Sequence, residues 1–259
     1  MKISLKNSKN QTVDLTADEK IYQVTSVSGL DPVKGQIFMD TIAGSDGSFY
    51  TGARVNNRNI VINLRVNGDA DTNRQNLYVK FPVKEKITAT ITTNKTATIE
   101  GYIEDVSCDI FTKSQIVQIS ILCPNPYFRG ERIAVSGIGS EDLAFGGNNP
   151  GDVPAEFSMD FDFQGSVTGL SISASNQNNV LQFSFDSFTD PEFVIGSTEK
   201  TATLTDGVST WIDLIPSMSI GSTFPKVGKG AFAISATPTG SNIGNAHGYL
   251  YFWPLYGGM

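Results

Sequence analysis

The 259-residue chain is long enough for two ordinary domains or one large β domain, and only 17% of its residues are charged. It contains 25 glycines and 16 phenylalanines but no long runs of helix-forming residues, a composition typical of short strands joined by turns. The formal net charge of −7 disfavours a nucleic-acid reader, because neutralising phosphates requires clustered Lys and Arg. No stretch approaches the roughly 18 apolar residues of a membrane span, and residues 1–7 lack the apolar core of a signal peptide. We therefore expect no membrane association and no secretion by that route.

Strands are predicted in the first half from residue type and from alternation of apolar and polar residues. Residues 21–27 form the first such segment, and Pro32 marks the turn that follows it. Residues 59–66 form a second segment, in which four apolar side chains share one face: Ile60, Ile62, Leu64 and Val66. Between the two segments, residues 44–57 begin with a run of Gly and Ser and are predicted to be a loop. A loop of about fourteen residues is long for a compact domain.

One short helix is predicted after residue 68. Asp69 or Asp71 can cap its N-terminus, because a carboxylate accepts hydrogen bonds from the free amides of the first turn. Leu77 and Phe81 fall on one stripe at a spacing of four residues, and Pro82 prevents the helix from continuing. The sequence therefore predicts a helix that ends just before Pro82.

A long hairpin is predicted over residues 98–123, with its turn near residues 112 and 113. The register set by that turn places Cys108 opposite Val117 and Cys123 opposite Tyr102. The two sulfurs then lie roughly 20 Å apart along the ladder, far beyond the reach of a disulfide. We expect both cysteines to be free, buried thiols in a protein made in a reducing compartment.

Composition changes near residue 128, after which eleven of the sixteen phenylalanines occur. The net charge is +1 over residues 1–128 and −8 over residues 129–259. Residues 157–163 and 181–185 alternate with period two, and turn-forming residues separate the predicted strands. We predict an N-terminal β module over residues 1–128 and a C-terminal β-sandwich, jelly-roll or lectin-like, over residues 129–259.

The sequence offers little catalytic chemistry. His247 is the only histidine and lies in a turn rich in Gly and Asn, which disfavours a Ser-His-Asp or Cys-His nucleophile. One His and two separated Cys cannot form a standard zinc site. Residues 69–73 begin like a calcium loop, but Arg74 stands where the turn needs Gly and Lys80 where a Glu is needed. We predict no enzyme activity, cofactor or metal site, and a glycosidase carboxylate pair is the enzymatic alternative.

Glycan binding is the principal alternative function. Sandwich domains of this size often bind sugars on exposed aromatic side chains, and the second half contains five that are available: Trp211, Tyr249, Tyr251, Trp253 and Tyr256. The competing explanation is that these side chains pack in the core or at a subunit contact, and we favour that explanation.

Several segments occur in an order and spacing that together suggest a family. They are residues 52–54, 58–64, 68–69, 74–78, 101–106 and 111–128 in the first half, and 149–155, 204–207 and 251–258 in the second. In this arrangement the chain resembles the distal tail (Dit) proteins of long-tailed bacteriophages over nearly its whole length. Residues 226–230 depart from the family pattern, which has a Gly-Asn pair there. The chain is also too short for the carbohydrate-binding insertions of some relatives.

The resemblance implies an all-β hub protein of the phage tail tip. Such proteins form hexameric rings, in which a barrel-like or sandwich-like N-terminal module with a short helix and a long hairpin surrounds the DNA channel. A galectin-like C-terminal sandwich projects outward. The ring joins the tail tube to the tail-tip or tail-associated lysin protein, and in many phages it holds the receptor-binding proteins. The resemblance thus implies a virion protein, assembled in the host cytoplasm, through which DNA passes without specific binding.

The ring interface is predicted on the N-terminal module, including the hairpin 98–123. The predicted contact residues are Tyr102, Glu104, Phe111, Arg54 and Arg58. A module with nearly balanced charge packs against copies of itself with little repulsion, as a closed ring of head-to-tail contacts requires. We also expect the loop 44–57 to become ordered only against a neighbouring subunit or the tube protein.

Overall fold

The computed structural model of the chain describes residues 1–112, 114–175, 177–207 and 211–259. Its secondary structure is almost entirely β, which confirms the predicted fold class. The chain divides into two compact units: residues 1–129 together with 256–259 form the first, and residues 130–255 form the second. Lys113, in the predicted hairpin turn, lies outside the described residues.

The first unit contains one main sheet, one helix and a separate two-stranded hairpin. Its elements are β1 (Lys2–Asn7), β2 (Thr12–Asp14), β3 (Tyr22–Ser28), β4 (Gly35–Asp40), β5 (Phe49–Val55), β6 (Arg58–Val66), α1 (Ala70–Lys80), β7 (Lys86–Thr92), β8 (Thr96–Cys108), β9 (Ile116–Cys123) and β10 (Phe128–Arg129). The strand order of the main sheet is β2-β1-β7-β8-β9-β6-β3, and β4 pairs with β5. The short helix α1 and the long β8–β9 hairpin are the elements predicted for this module.

The predicted strand 59–66 and the predicted helix are both confirmed. Strand β6 buries Ile60, Ile62 and Leu64 completely, as the alternation indicates. Asp69 caps α1 by accepting a hydrogen bond from the Thr72 amide, and the helix ends at Lys80, with Phe81 as its C-cap directly before Pro82. A side-chain cap satisfies an amide that the first turn leaves without an intrahelical partner.

The β8–β9 hairpin has the predicted register at its tip but not at its base. Cys108 lies opposite Val117, as predicted, but a β-bulge at Glu104 shifts the pairing so that Tyr102 faces Leu122 and not Cys123. Because one extra residue reverses the faces of the following side chains, Tyr102 is exposed on the outer face of the sheet. The predicted pairing of Tyr102 with Cys123 is therefore wrong.

Both cysteines are free, as predicted, but only one of them is buried. Cys123 is buried in the core of the first unit, and Cys108 is partly exposed. Burial raises the pKa of the Cys123 thiol to about 11, because the apolar surroundings disfavour the thiolate. The Cys123 side chain therefore packs in the core as a neutral, unreactive thiol.

The second unit is a sandwich of two sheets. Its elements are β11 (Ile133–Gly139), β12 (Leu143–Asn149), β13 (Phe157–Phe163), β14 (Ser166–Ala174), β15 (Val180–Thr189), β16 (Glu192–Gly196), β17 (Thr201–Thr205), β18 (Ile212–Asp213), a single 3-10 turn (Ile215–Ser217), β19 (Gly230–Ser241), β20 (Ala246–Phe252) and β21 (Leu255–Tyr256), which ends in the first unit. One sheet has the order β11-β20-β13-β16-β17-β18 and the other β12-β19-β14-β15.

Phenylalanine fills the space between these sheets. The period-two residues Phe157, Phe161 and Phe163 are at most 2% exposed, which confirms the predicted alternation. Phe161 stacks on Phe193 with ring centroids 5.2 Å apart, and Phe163 meets Phe161 edge-on at 5.7 Å. Offset and edge-on contacts of this kind stabilise a core beyond the burial of their area.

Candidate interaction surface

The two-stranded hairpin of β4 and β5, here called the arm (residues 35–55), is the most exposed ordered element of the first unit. Residues 49–55 were predicted to lie in a loop, but they pair with residues 35–40, and only residues 41–48 connect the two strands. All six residues of β4 are exposed. None of the arm residues belongs to the hydrophobic core of the unit.

The arm has one face without charged side chains and a mixed face, on which Gln36, Asp40 and Arg54 lie with the exposed Phe38 and Phe49. Directly paired residues point to the same side of a hairpin, so Ile37 with Ala53 and Met39 with Tyr50 share one face with Val55. The bulge between Phe38 and Met39 keeps Tyr50 on this side. The face is largely open to solvent, with exposed fractions of 60% for Ile37, 59% for Met39 and 66% for Tyr50.

On the mixed face, Arg54 is paired within the arm. Arg54 Nε donates a hydrogen bond of 3.1 Å to Gln36 Oε1, its cross-strand partner. The Arg54 guanidinium also lies 5.6 Å from the centroid of the Phe38 ring, a distance at which a cation is attracted to the ring face. Arg54, a predicted contact residue, is therefore exposed but already held by the arm itself.

Arg58, another predicted contact residue, is buried and holds chain segments together. Its Nε donates to Pro126 O at 2.7 Å, its Nη1 to Gly29 O at 2.5 Å and Asp31 O at 2.8 Å, and its Nη2 to Gly257 O at 2.5 Å. Its side chain is 7% exposed, and burial lowers the pKa of Arg58. It cannot contact a neighbouring subunit directly, so we remove it from the predicted interface.

The remaining predicted contact residues lie along the β8–β9 hairpin. Phe111 is 94% exposed at the tip, beside Ile110 at 49%. Tyr102 is 46% exposed near the base of the hairpin. It lies nine residues before Phe111, which corresponds to roughly 30 Å at the rise of an extended strand. Glu104 lies at the bulge, where its Oε2 is 2.8 Å from Ser120 Oγ. The structure therefore separates Tyr102 from Phe111 and does not gather the predicted residues into one patch.

The aromatic residues of the glycan-binding alternative are also dispersed. Tyr249 and Tyr251 stack on the outer face of the six-stranded sheet, with centroids 6.1 Å apart, and Tyr249 is 52% exposed. Trp211 directly precedes β18. This strand lies four strand spacings, or roughly 19 Å, from β20, which carries the two tyrosines. Tyr256 belongs to the first unit, where Lys95 Nζ lies 3.8 Å from its ring centroid. Two adjacent tyrosines are therefore the largest stacked platform that these five residues form among the described contacts.

Groups that could carry catalysis are sparse in the part of the chain that the structure describes. His247 Nδ1 lies 3.9 Å from Asp162 Oδ2, and both side chains are about half exposed. No cluster of three or more His, Cys, Asp or Glu side chains in the described ranges is arranged to hold a metal ion. None of the described helices is long and apolar enough to cross a membrane.

Comparison with known proteins gives a match in structure but not in sequence. No protein-family model and no curated protein sequence matches the chain. The crystal structure of the SPP1 Dit protein aligns with a TM-score of 0.68 and 16% sequence identity, over 98% of each chain. The chain has the Dit fold. A chain of the phage P2 baseplate in its activated conformation aligns with a TM-score of 0.45 and 11% identity, over 96% of this chain and 97% of that one.

The alignment with the SPP1 Dit structure covers both units of this chain. At 16% identity the two sequences differ at most positions, so the alignment shows a shared fold.

Proposed function

We propose that this Dit-fold protein is a non-enzymatic structural hub of a phage tail tip. The observation that carries the proposal is the alignment with the SPP1 Dit protein over 98% of both chains, at a TM-score of 0.68. The SPP1 protein is described as a paradigm of the hub adsorption apparatus in phages that infect Gram-positive hosts. The proposed location is accordingly the tail tip of a virion, with assembly in the host cytoplasm.

The proposed assembly is a ring of six copies built from the first unit. Two features support this arrangement: residues 1–128 carry a net charge of only +1, and the unit exposes apolar side chains on the arm and on the β8–β9 tip. The second unit, residues 130–255, has 4 basic and 13 acidic residues and so a net charge of −9, and we propose that it faces solvent and other partners. Proposed partners are the tail tube, the tail-tip or tail-associated lysin protein and receptor-binding proteins, and DNA passes through the channel without specific binding.

The proposed ring contacts involve Tyr102, Glu104, Phe111 and Arg54. Each has an exposed side chain, in contrast to Arg58. We also propose that residues 1–128 and 129–259 are separate folding domains, except that the first needs the chain end at residues 256–259.

We expect the purified protein to form six-fold rings with a central channel at high concentration or when mixed with its tail tube protein. Negative-stain electron microscopy with light scattering over a wide concentration range is the measurement. Rings of another symmetry would contradict the six-copy assembly. A protein that neither forms rings alone nor binds the tube end would contradict the hub function.

Glycan binding is retained as a second candidate because of the Tyr249–Tyr251 pair. Stacked aromatic side chains on an open sheet face can bind the apolar face of a sugar ring. In that case a glycan array would show binding to one sugar class that is lost in Tyr249→Ala. Val194→Ala, on the same sheet face, is the control that should leave binding unchanged.

A further inference from the structure

An open groove on the outer face of the six-stranded sheet combines an exposed tyrosine with a concentration of carboxylates. The groove has a volume of about 420 Å³ and is lined in part by residues of β13, β16 and β20. Five carboxylates line it: Asp160, Asp162, Asp190, Glu192 and Asp206. Among the described residues of its lining there is no Lys or Arg, and Tyr249 supplies an exposed aromatic ring.

The strand register brings these groups together. Asp160 and Asp162 point outward from β13, roughly 7 Å apart at strand rise. Tyr249 lies directly opposite Asp160, and Glu192 lies directly opposite Asp162. Like charges directly opposite each other on a sheet face repel. The fold therefore holds Asp162 and Glu192 together at a cost that a bound cation would offset.

One carboxylate oxygen in the groove lacks a hydrogen-bond donor. Asp160 Oδ1 is buried and has no hydrogen-bond partner within the described part of the chain. The neighbouring acids differ, since His247 Nδ1 lies 3.9 Å from Asp162 Oδ2 and the Gly165 amide donates to Asp190 Oδ1 at 2.7 Å. A buried carboxylate without a donor is costly, and a cationic N–H group is the strongest donor that it can gain.

The chain itself shows which cation this tyrosine pair attracts. Tyr249 and Tyr251 stack with ring centroids 6.1 Å apart, and the Arg132 guanidinium lies 4.8 Å from the centroid of Tyr251. Arg132 therefore lies on the tyrosine that is farther from the groove, because Tyr249 lines the groove and Tyr251 does not. Tyr249 is 52% exposed and has the Asp160 carboxylate beside it. It offers a second guanidinium both a ring face and a carboxylate.

We propose that this groove, here called the guanidinium groove, binds an arginine side chain presented by a partner protein of the tail tip. The guanidinium lies over the Tyr249 ring and donates to Asp160 and Asp162 through separate N–H groups of its planar fork. The net charge of −9 over residues 130–255 attracts a basic partner to this unit. The inference rests on the proposed hub function only for the kind of partner.

A metal ion and a neutral sugar fit the guanidinium groove less well than an organic cation does. No group of three or more His, Cys, Asp or Glu side chains in the described ranges is arranged to hold a metal ion. A neutral sugar could stack on Tyr249, but it would leave the opposed charges of Asp162 and Glu192 uncompensated.

Three matched peptides test the chemistry of the guanidinium groove. The full-length protein is immobilised, and binding is measured by surface plasmon resonance in about 0.1 M NaCl. The probes are capped Gly-Arg-Gly, the same peptide with Lys, and the same peptide with citrulline, a neutral isostere of arginine. We expect the arginine peptide to bind at least about fivefold more tightly than either of the others. Equal binding of the citrulline or the lysine peptide would overturn the inference, as would no binding of any peptide up to about 10 mM.

Substitutions in the protein test where the arginine peptide binds. Asp160→Asn and Tyr249→Ala should each raise its dissociation constant at least about fivefold, whereas Tyr249→Phe keeps the ring and should bind within about twofold of the wild type. Asn has nearly the shape of Asp, so a loss of binding in Asp160→Asn reports the charge. The matched control is Glu199→Gln, which removes the same charge from an exposed position beyond the end of β16 opposite to Glu192. An equal loss in Glu199→Gln would reveal diffuse attraction to the acidic unit and overturn the inference.

Further probes separate this inference from its rivals and from the hub function. Galactose or calcium chloride that binds where the arginine peptide does not, with binding lost in Tyr249→Ala or Asp160→Asn, would overturn the inference in favour of a sugar or a metal ion. Six-fold rings without arginine binding would leave the hub function intact and overturn the inference. Conversely, arginine binding by a protein that forms no ring and binds no tube would support the guanidinium groove and contradict the hub function.

Discussion

Arg58→Ala is expected to lower the free energy of unfolding of the first unit by about 3–5 kcal/mol. The guanidinium donates to four backbone carbonyls, which belong to Gly29, Asp31, Pro126 and Gly257. A buried carbonyl without a partner costs roughly 1–3 kcal/mol. Because one side chain serves four carbonyls in three chain segments, its loss removes partners from all of them together.

The geometry explains why no other side chain can replace Arg58. Only a guanidinium carries five N–H donors in a rigid planar fork, and the donors of Lys are fewer and all lie at one nitrogen. The Arg58 plane also lies 4.6 Å from the Phe128 ring centroid, and Phe128 is fully buried. Gly29 helps to position one acceptor: its φ of +85° suits glycine, and a Cβ there would lie 2.1 Å from Asn59 O.

Hydrogen exchange of amides in the first unit is the measurement for Arg58→Ala, because a two-unit chain need not unfold in one step. Arg58→Met keeps most of the side-chain volume but no donors, so it should be nearly as destabilising as Arg58→Ala. Arg54→Ala, on the exposed arm, should change stability by less than about 0.5 kcal/mol. If Arg58→Met were as stable as the wild type, the four hydrogen bonds would not be what stabilises the unit.

Sequence patterns predicted the regular parts of this fold because those parts depend on local periodicity. The alternation in residues 59–66 and 157–163 indicates which face of each strand is buried, and the capping residue Asp69 indicates where the helix begins. The Glu104 bulge is not visible in that pattern, because a single unpaired residue changes the register without changing composition. The predicted pairing of Tyr102 with Cys123 is wrong for this reason.

The sequence predicted the candidate interaction surface less well than the regular strands. Residues 49–55 alternate apolar and polar side chains only partly, and their partner strand lies across a loop rich in Gly and Ser. The sequence also gave no reason to bury Arg58, because its acceptors come from positions that are distant in the chain. A strand that is exposed on both faces lacks the burial pattern by which strands are predicted, and β4, whose six residues are all exposed, is such a case.

Deleting the last four residues, 256–259, is expected to destabilise the first unit by about 2–4 kcal/mol and to leave the second unit nearly unchanged. Gly257 O accepts hydrogen bonds from Arg58 and from the Val33 amide, and the Met259 amide donates to Leu30 O at 2.9 Å. The Tyr256 ring lies against the Lys95 ammonium and packs against the core. The chain end is thus part of the unit that begins at residue 1.

The deletion should be compared with Tyr256→Ala, which removes the ring but keeps the backbone acceptors of Gly257. Hydrogen exchange should show a larger loss of protection in β3 and in residues 29–33 for the deletion than for Tyr256→Ala. Equal losses would mean that packing of the ring, and not the backbone hydrogen bonds, accounts for the effect. A fragment of residues 1–128 is expected to share the defect, because it lacks the same acceptors.

Combining the deletion with Arg58→Ala tests whether the two act through one network. Each change alone removes the hydrogen bond between Arg58 Nη2 and Gly257 O. The double variant can lose that hydrogen bond only once. Its destabilisation should fall short of the sum of the two single effects by about 0.5–3 kcal/mol, the range found for residues in one hydrogen-bond network. Additive effects would show that the chain end and Arg58 stabilise the unit independently. Sub-additive effects would identify the buried guanidinium as the point at which the end of the chain is tied to its beginning.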